Sequence, residues 1–245
     1  MPLQMKLLLI FALFCLVSVH SSIHSIRLNT TNHLVLRGPI TDEVAATFVY
    51  TSQLKYAQIQ YVYIDSPGGS VTAGEHIVEE IRHRMYVCVV DKAYSMAFVI
   101  LQACHTRVIR PSGSLMQHQI SISGIQGELG KVQSTLRHIE SMRKRLEKMQ
   151  ATRIGLPELD FSKLVSNEWW LDASEALENK CVDDVIDSIT CSPEVIKKNI
   201  TRTESMIIGF FATSIIYEYS ACPLIYVPLR ELSSASVDWT NQTIH

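Results

Sequence analysis

Apolar residues along the chain recur with two alternating periods. HLVLR (33–37), YVYID (61–65), MYVCVV (85–90), RVIR (107–110) and LMQH (115–118) gather β-branched, aromatic and aliphatic residues in short runs, the pattern of strands buried in a sheet. Between them lie stretches of helical character. One opens at Thr41, with Asp42 and Glu43 in its first turn, and reaches Leu54; others run from Val71 to His83, from Ser95 to Ala103, and from Glu128 to Arg153. Strands alternating with helices predict an α/β fold around a mostly parallel sheet. After Pro157 the pattern loosens as far as Trp170. Asp172-Ala-Ser-Glu175 then reads as a capping box opening a short helix, and VDDVI (182–186) as a last strand.

The long helix carries Leu129, Val132, Leu136, Ile139, Met142, Leu146 and Met149 at steps of three or four, opposite a face of Arg, Lys and Glu. That is more apolar stripe than one small domain covers, which predicts packing against another subunit; the alternative is an ordinary core helix. Two apolar runs lie outside the alternating region. Leu7–Val19 is thirteen uncharged residues between Lys6 and the small pair Ser21-Ser22. This is the layout of a secretory signal peptide over residues 1–22, or of an N-terminal anchor. MIIGFFATSIIY (206–217), with further apolar residues at 221–229, is too short to span a bilayer. It marks 193–245 as an extension that docks onto the core or an oligomer interface, membrane association being the other reading. The domain between these segments covers 23–192.

Composition narrows the classes. At 47% hydrophobic and 19% charged, 245 residues form a sizeable core, and a formal net charge of −2 leaves no basic footprint for nucleic acid. Asn29, Asn199 and Asn241 each open an Asn-x-Thr sequon, which together with the signal segment predicts a glycoprotein of the secretory pathway, secreted or lumenal. Beyond the signal, Cys88, Cys104, Cys181, Cys191 and Cys222 are odd in number, so at least one thiol stays unpaired. Cys88 and Cys104 sit in apolar runs and read as buried small hydrophobes, whereas Cys191 is open to a bridge with Cys181 or Cys222. No pair has zinc-ligand spacing, and no cofactor is expected.

Three places carry chemistry. SPGGS (66–70) joins a strand to a helix through two glycines, letting backbone N–H groups approach a ligand or oxyanion; a plain tight turn has the same look. It lacks the Lys-Ser/Thr pair of a nucleotide-binding loop. Ser95 opens the apolar helix of AYSMAFVIL, as a capping serine would, and equally as a nucleophile at a helix N-terminus would. His118, at the end of LMQH, is the base best placed in sequence to activate it.

Taken together, YIDSPGGSVTAG, AYSMAFVIL, LMQHQ, GIQGE before the long helix, and LDASEAL followed by VDDVI resemble the Clp proteolytic-subunit family over about residues 33–189. The resemblance implies a crotonase-like fold of repeated ββα units with a protruding handle helix, through which rings of subunits meet. It implies serine-type endopeptidase chemistry in an oligomeric chamber, with Ser95 as nucleophile, His118 as base, and the N–H groups of Gly69 and Met96 as oxyanion hole. The third catalytic position, counted back from Ala173-Ser-Glu-Ala176, falls on Glu168 where the family has aspartate. Asn167 stands beside it, and Asp172 reads as a helix cap. The chain departs from the family pattern at Ala97, at Ile120 and at Lys180-Cys181. The family's AAA+ unfoldase partner belongs to another compartment than a secretory lumen, so the expected substrate is a peptide or unfolded protein taken unaided. The competing readings are a catalytically silent scaffold or regulatory subunit, and a crotonase-fold enzyme acting on acyl thioesters. The last has no need of Ser95 and His118.

Overall fold

The computed structural model describes residues 23, 25–55, 57–122, 124–208 and 211–238. The signal segment 1–22 and the sequon at Asn241 lie outside the described residues. Strand β2 (His33–Arg37) leads into helix α1 (Asp42–Lys55), then β3 (Tyr61–Ser66), α2 (Val71–Arg82), β4 (Val87–Tyr94), α3 (Met96–Ala103) and β5 (Thr106–Gln117). The strands lie side by side in the order β2-β3-β4-β5, all parallel. β3 is buried on both faces, as a parallel strand with covered sides must be, and that is why it reads as a continuous apolar run.

Helices α1–α3 pack on one face of this sheet around Ile64, Ile77, Val90, Phe98 and Ile100. Across the other face runs a short parallel pair, β1 (Ser25–Leu28) with β8 (Ser188–Cys191), whose Ile26 and Leu28 pack with Tyr63, Val89 and Val108. Neither strand stands out in the sequence.

The two predicted strands at 107–110 and 115–118 are one strand, β5. Val90 pairs with Ile109, but Lys92 pairs with Ser114, so Arg110–Gly113 bulges out opposite Asp91. Pro111 has no N–H to give to a ladder, which places the bulge there. Beyond it the second half of β5 pairs antiparallel with β6 (Trp169–Asp172), while its first half takes the two-residue β7 (Asp184–Val185).

Helix α4 (Leu129–Ile154) buries only Leu146, Gln150, Ala151 and Ile154; residues 129–145 contribute no buried side chain. A short helix α5 (Glu158–Leu164) follows it. The capping box is present: Asp172 accepts from the Glu175 N–H at 2.9 Å and Glu175 from that of Asp172 at 3.0 Å, opening α6 (Ala173–Glu178).

Cys88 and Cys104, read as separate buried hydrophobes, are disulfide-bonded, because the β4–α3 turn folds the end of the helix back beside the start of the strand. Cys191 pairs with Cys222, and among the described residues Cys181 is the free thiol. The second bridge pins the C-terminal extension. There, after α7 (Pro193–Lys197), strands β9 (Asn199–Ile208), β10 (Phe211–Ser220) and β11 (Arg230–Asp238) form an antiparallel sheet in the order β11-β10-β9. The connection from β10 to β11 docks on the core. The Tyr226 hydroxyl donates to Asp91 at 2.7 Å, Arg110 binds the same carboxylate at 2.6 Å, and the Arg37 guanidinium lies 4.6 Å from the Tyr226 ring centre. Docking of the extension onto the core therefore holds for 222–226. Among the described residues no helix is long and apolar enough to cross a membrane.

A buried charge cluster closes the far end of the domain. Arg107, 3% exposed, is bonded to Asp183 at 2.6 Å and to Gln102, and Arg153 from the last turn of α4 reaches Asp183 at 3.3 Å. Burial pushes the Asp183 carboxyl up, but the hydrogen bonds and charge of Arg107 outweigh it, leaving Asp183 below the ordinary carboxylate value. Asp183→Asn leaves Arg107 buried without its counter-charge and is expected to cost about 3 kcal/mol in urea unfolding at pH 7. Because the folded-state value is depressed, the wild-type contribution is present above about pH 4, where the unfolded carboxylate is ionised, and is lost as pH falls below that. The difference between wild type and variant should shrink over the same window.

Candidate active site

Ser66, at the end of β3, holds the turn that follows it. Its hydroxyl donates to the Gly38 carbonyl at 2.7 Å and accepts the Gly68 N–H at 3.1 Å. The turn is locked onto the β2–α1 connection by Ile40 N–H to Gly68 O at 2.8 Å and Ser70 N–H to Ile40 O at 2.9 Å. Ser70 then caps α2 by accepting from Ala73 at 3.2 Å. Gly68 has φ +92°, and a Cβ there would stand 2.6 Å from Tyr94 O, 2.8 Å from Ser95 Cβ and 2.9 Å from Met96 N. The sequence marks this glycine pair for its freedom to approach a ligand. In the fold, Gly68 is required for the approach of one backbone turn to another.

The other turn is the junction of β4 and α3. Ser95 adopts φ +54° and ψ −120°, a region that residues with a side chain seldom occupy. Its N–H is held by Met116 O at 2.8 Å. A capping serine would turn its oxygen to the N–H groups of the helix, but Ser95 makes no side-chain cap bond. Its Oγ instead lies 2.9 Å from His118 Nε2. With His118 protonated at Nδ1, the hydroxyl donates to Nε2, the arrangement in which imidazole can take the proton. His118 is the first residue past β5, and its reach to Ser95 follows from the β4–β5 pairing, where Tyr94 stands opposite Met116.

Both partners open into a cavity of about 120 Å³. Gly69 and Met96 line it too, and among the described residues neither N–H has an acceptor. Met96 N–H is the first of α3, so the helix dipole adds to its pull on negative charge. Apolar walls come from Val71, Val99, Leu146, Phe161 and Val165, with Arg143 and Glu147 of α4 paired at 2.7 Å along one side. None of these wall residues was singled out as functional from sequence, because α2, α3, α4 and α5 supply them from positions far apart in the chain.

The β5–β6 ladder ends with Gln117 beside Trp169, and His118 and Glu168 are the residues just beyond that last pair. The Glu168 side chain, however, accepts from Trp170 Nε1 at 2.9 Å on the exposed side. Among the described residues no carboxylate is bonded to the His118 ring. Asp172 is the cap that its sequence suggested, and Asn29 and Asn199 are exposed, as sequon asparagines must be to be modified.

A serine held off its helix at a positive φ, a histidine on its oxygen and two open N–H groups thus meet on one cavity. A family model described as Clp protease matches residues 19–189. The chain belongs to the Clp protease family, a family of proteases, and its α/β architecture is that of the family.

The tight contact at Gly68 has a measurable consequence. Gly68→Ala is expected to destabilise the protein by about 3 kcal/mol in chemical unfolding, since strain at φ > 0 adds to a clash with backbone. Gly124→Ala, also at positive φ but with open space around it, should cost about 1 kcal/mol. Equal costs at the two positions would show that the turns do not need the close approach.

Proposed function

We propose that this protein is a serine-type endopeptidase that hydrolyses peptide bonds of peptides or unfolded protein segments at Ser95. The observation that carries the reading is the 2.9 Å contact between Ser95 Oγ and His118 Nε2, made by a serine whose hydroxyl is not used as a helix cap. In the reaction, Ser95 Oγ attacks the scissile carbonyl as His118 takes its proton. The N–H groups of Gly69 and Met96 receive the oxyanion, and His118 returns the proton to the leaving amine. Water repeats the sequence on the acyl-enzyme. Glu168 is the third member. A turn of its side chain from Trp170 toward the His118 ring would fix the Nδ1–H tautomer and stabilise the imidazolium.

The assembly we propose is a homo-oligomer that closes a chamber around this site, using the first turns of α4, where Leu129 and Leu136 are exposed. The compartment we propose is the secretory pathway. Two disulfides in a chain of this size fit an oxidising lumen, as do the exposed sequons at Asn29 and Asn199. An AAA+ unfoldase is not part of this proposal.

The test is activity-based labelling with a fluorophosphonate. Wild-type protein is expected to label, and Ser95→Ala and His118→Ala to lose the label. Peptide hydrolysis should fall by a factor on the order of 10⁴ or more in each. A folded oligomer that neither labels nor cleaves would sink the peptidase reading and leave a silent scaffold. For the third residue, Glu168→Gln is expected to lower kcat on the order of 100-fold with KM unchanged, and Glu168→Asp to keep most of the rate. A Glu168→Gln variant with wild-type kcat would remove Glu168 from the mechanism.

A further inference from the structure

Two glutamines in the wall of the active-site cavity have no part in the chemistry above. Gln117 is 4% exposed and Gln150 is 2% exposed, in a wall they share with Val99, Leu146, Phe161 and Val165. Burying two primary amides is unfavourable unless their hydrogen bonds are made, and apolar residues would fill the same space without that demand. These two are bonded, and in one direction. The His118 N–H donates to Gln117 Oε1 at 3.1 Å, Gln117 Nε2 donates to Gln150 Oε1, and Gln150 Nε2 donates to the Leu146 carbonyl, one turn back on α4, at 2.9 Å. A backbone N–H only donates and a backbone carbonyl only accepts, so the two ends of the chain of bonds fix the orientation of both amides.

The relay meets β5 where its ladder ends. The last residue in register with β6 is Gln117, and His118 lies one step beyond, past the strand. With no ladder partner for its amide, the backbone of His118 is held by the Gln117 side chain. That side chain is held by Gln150, and Gln150 by the buried part of α4. The imidazole must stay within hydrogen-bond reach of Ser95, and a displacement of the order of 1 Å at its backbone is enough to lose that.

We propose that Gln117 and Gln150 are positioning residues for His118: a hydrogen-bond relay from α4 that sets the height of the catalytic base over Ser95. The kinetic consequence rests on the peptidase reading, whereas the relay itself is read at the His118 amide and does not. In Gln150→Leu, hydrogen exchange at the His118 amide is expected to run roughly tenfold faster than in wild type, although residue 150 does not touch that amide. The same variant is expected to lose about tenfold in kcat with KM and side-chain preference unchanged. Gln117→Met, which deletes the acceptor itself and keeps the volume, should reproduce both effects and serves if Gln150→Leu does not fold. Unchanged exchange at His118 would overturn the proposal. So would a raised KM with constant kcat, which would make the glutamines substrate contacts instead. A wild-type protein that neither labels nor cleaves would end the peptidase reading, and the exchange measurement would still decide the relay.

Discussion

The rest of the structure depends on the contact between two backbone turns, Pro67–Gly69 after β3 and Tyr94–Met96 after β4. They approach so closely that a single methyl on Gly68 would collide with three residues of the other turn. The proximity puts Gly69 N–H and Met96 N–H on one cavity and holds Ser95 in a conformation it would not choose. Ser66 and Ile40 brace one side of the contact and Met116 the other, so the strain at Ser95 is opposed by hydrogen bonds from three strands or their ends.

Around this contact the fold divides the work. The parallel sheet and helix α1 form the rigid frame, while α2, α3, α4 and α5 furnish the walls facing the serine. The two sets meet at the end of β5, where the strand runs out and His118 begins. Helix α4 serves both parts: its last turns are buried and carry Gln150 to the cavity and Arg153 to the Asp183 cluster, and its first turns hold no buried side chain. Joining an exposed half-helix to the environment of the base makes the site sensitive to whatever grips that half.

How much of this could be read in the sequence depended on the range of the forces involved. The β2-to-β5 rhythm and the Asp172 capping box are local patterns and were legible to within a few residues. Ser95 and His118 were legible as a motif pair, although sequence alone left Ser95 open to a capping role that its φ of +54° and its unused cap exclude. β1 and β8 were missed because four residues are too few to show a period, and their pairing joins segments at opposite ends of the domain. The Cys88–Cys104 bridge was missed because both cysteines sit in apolar surroundings that suit a free thiol, and only the β4–α3 turn brings them together. Glu168 was reached by counting back from Ala173-Ser-Glu-Ala176, which fixes a position in the chain and not which neighbour the carboxylate selects; its bond is to the Trp170 indole. The Gln117–Gln150 contact spans 33 positions and has no signature in either segment alone.

The small parallel pair of β1 with β8 has a further effect. Ser25 stands beside Ser188 and Leu28 beside Cys191, so the chain enters the protease domain and leaves it along neighbouring tracks, about one strand spacing apart. Because the pair is parallel, the chain comes in at its Ser25 end and goes on from its Cys191 end, both on the face of the sheet opposite the helical layer. A new chain start cut into a surface turn, with the old ends fused, would leave the arrangement of Ser95, His118 and Gly69 untouched.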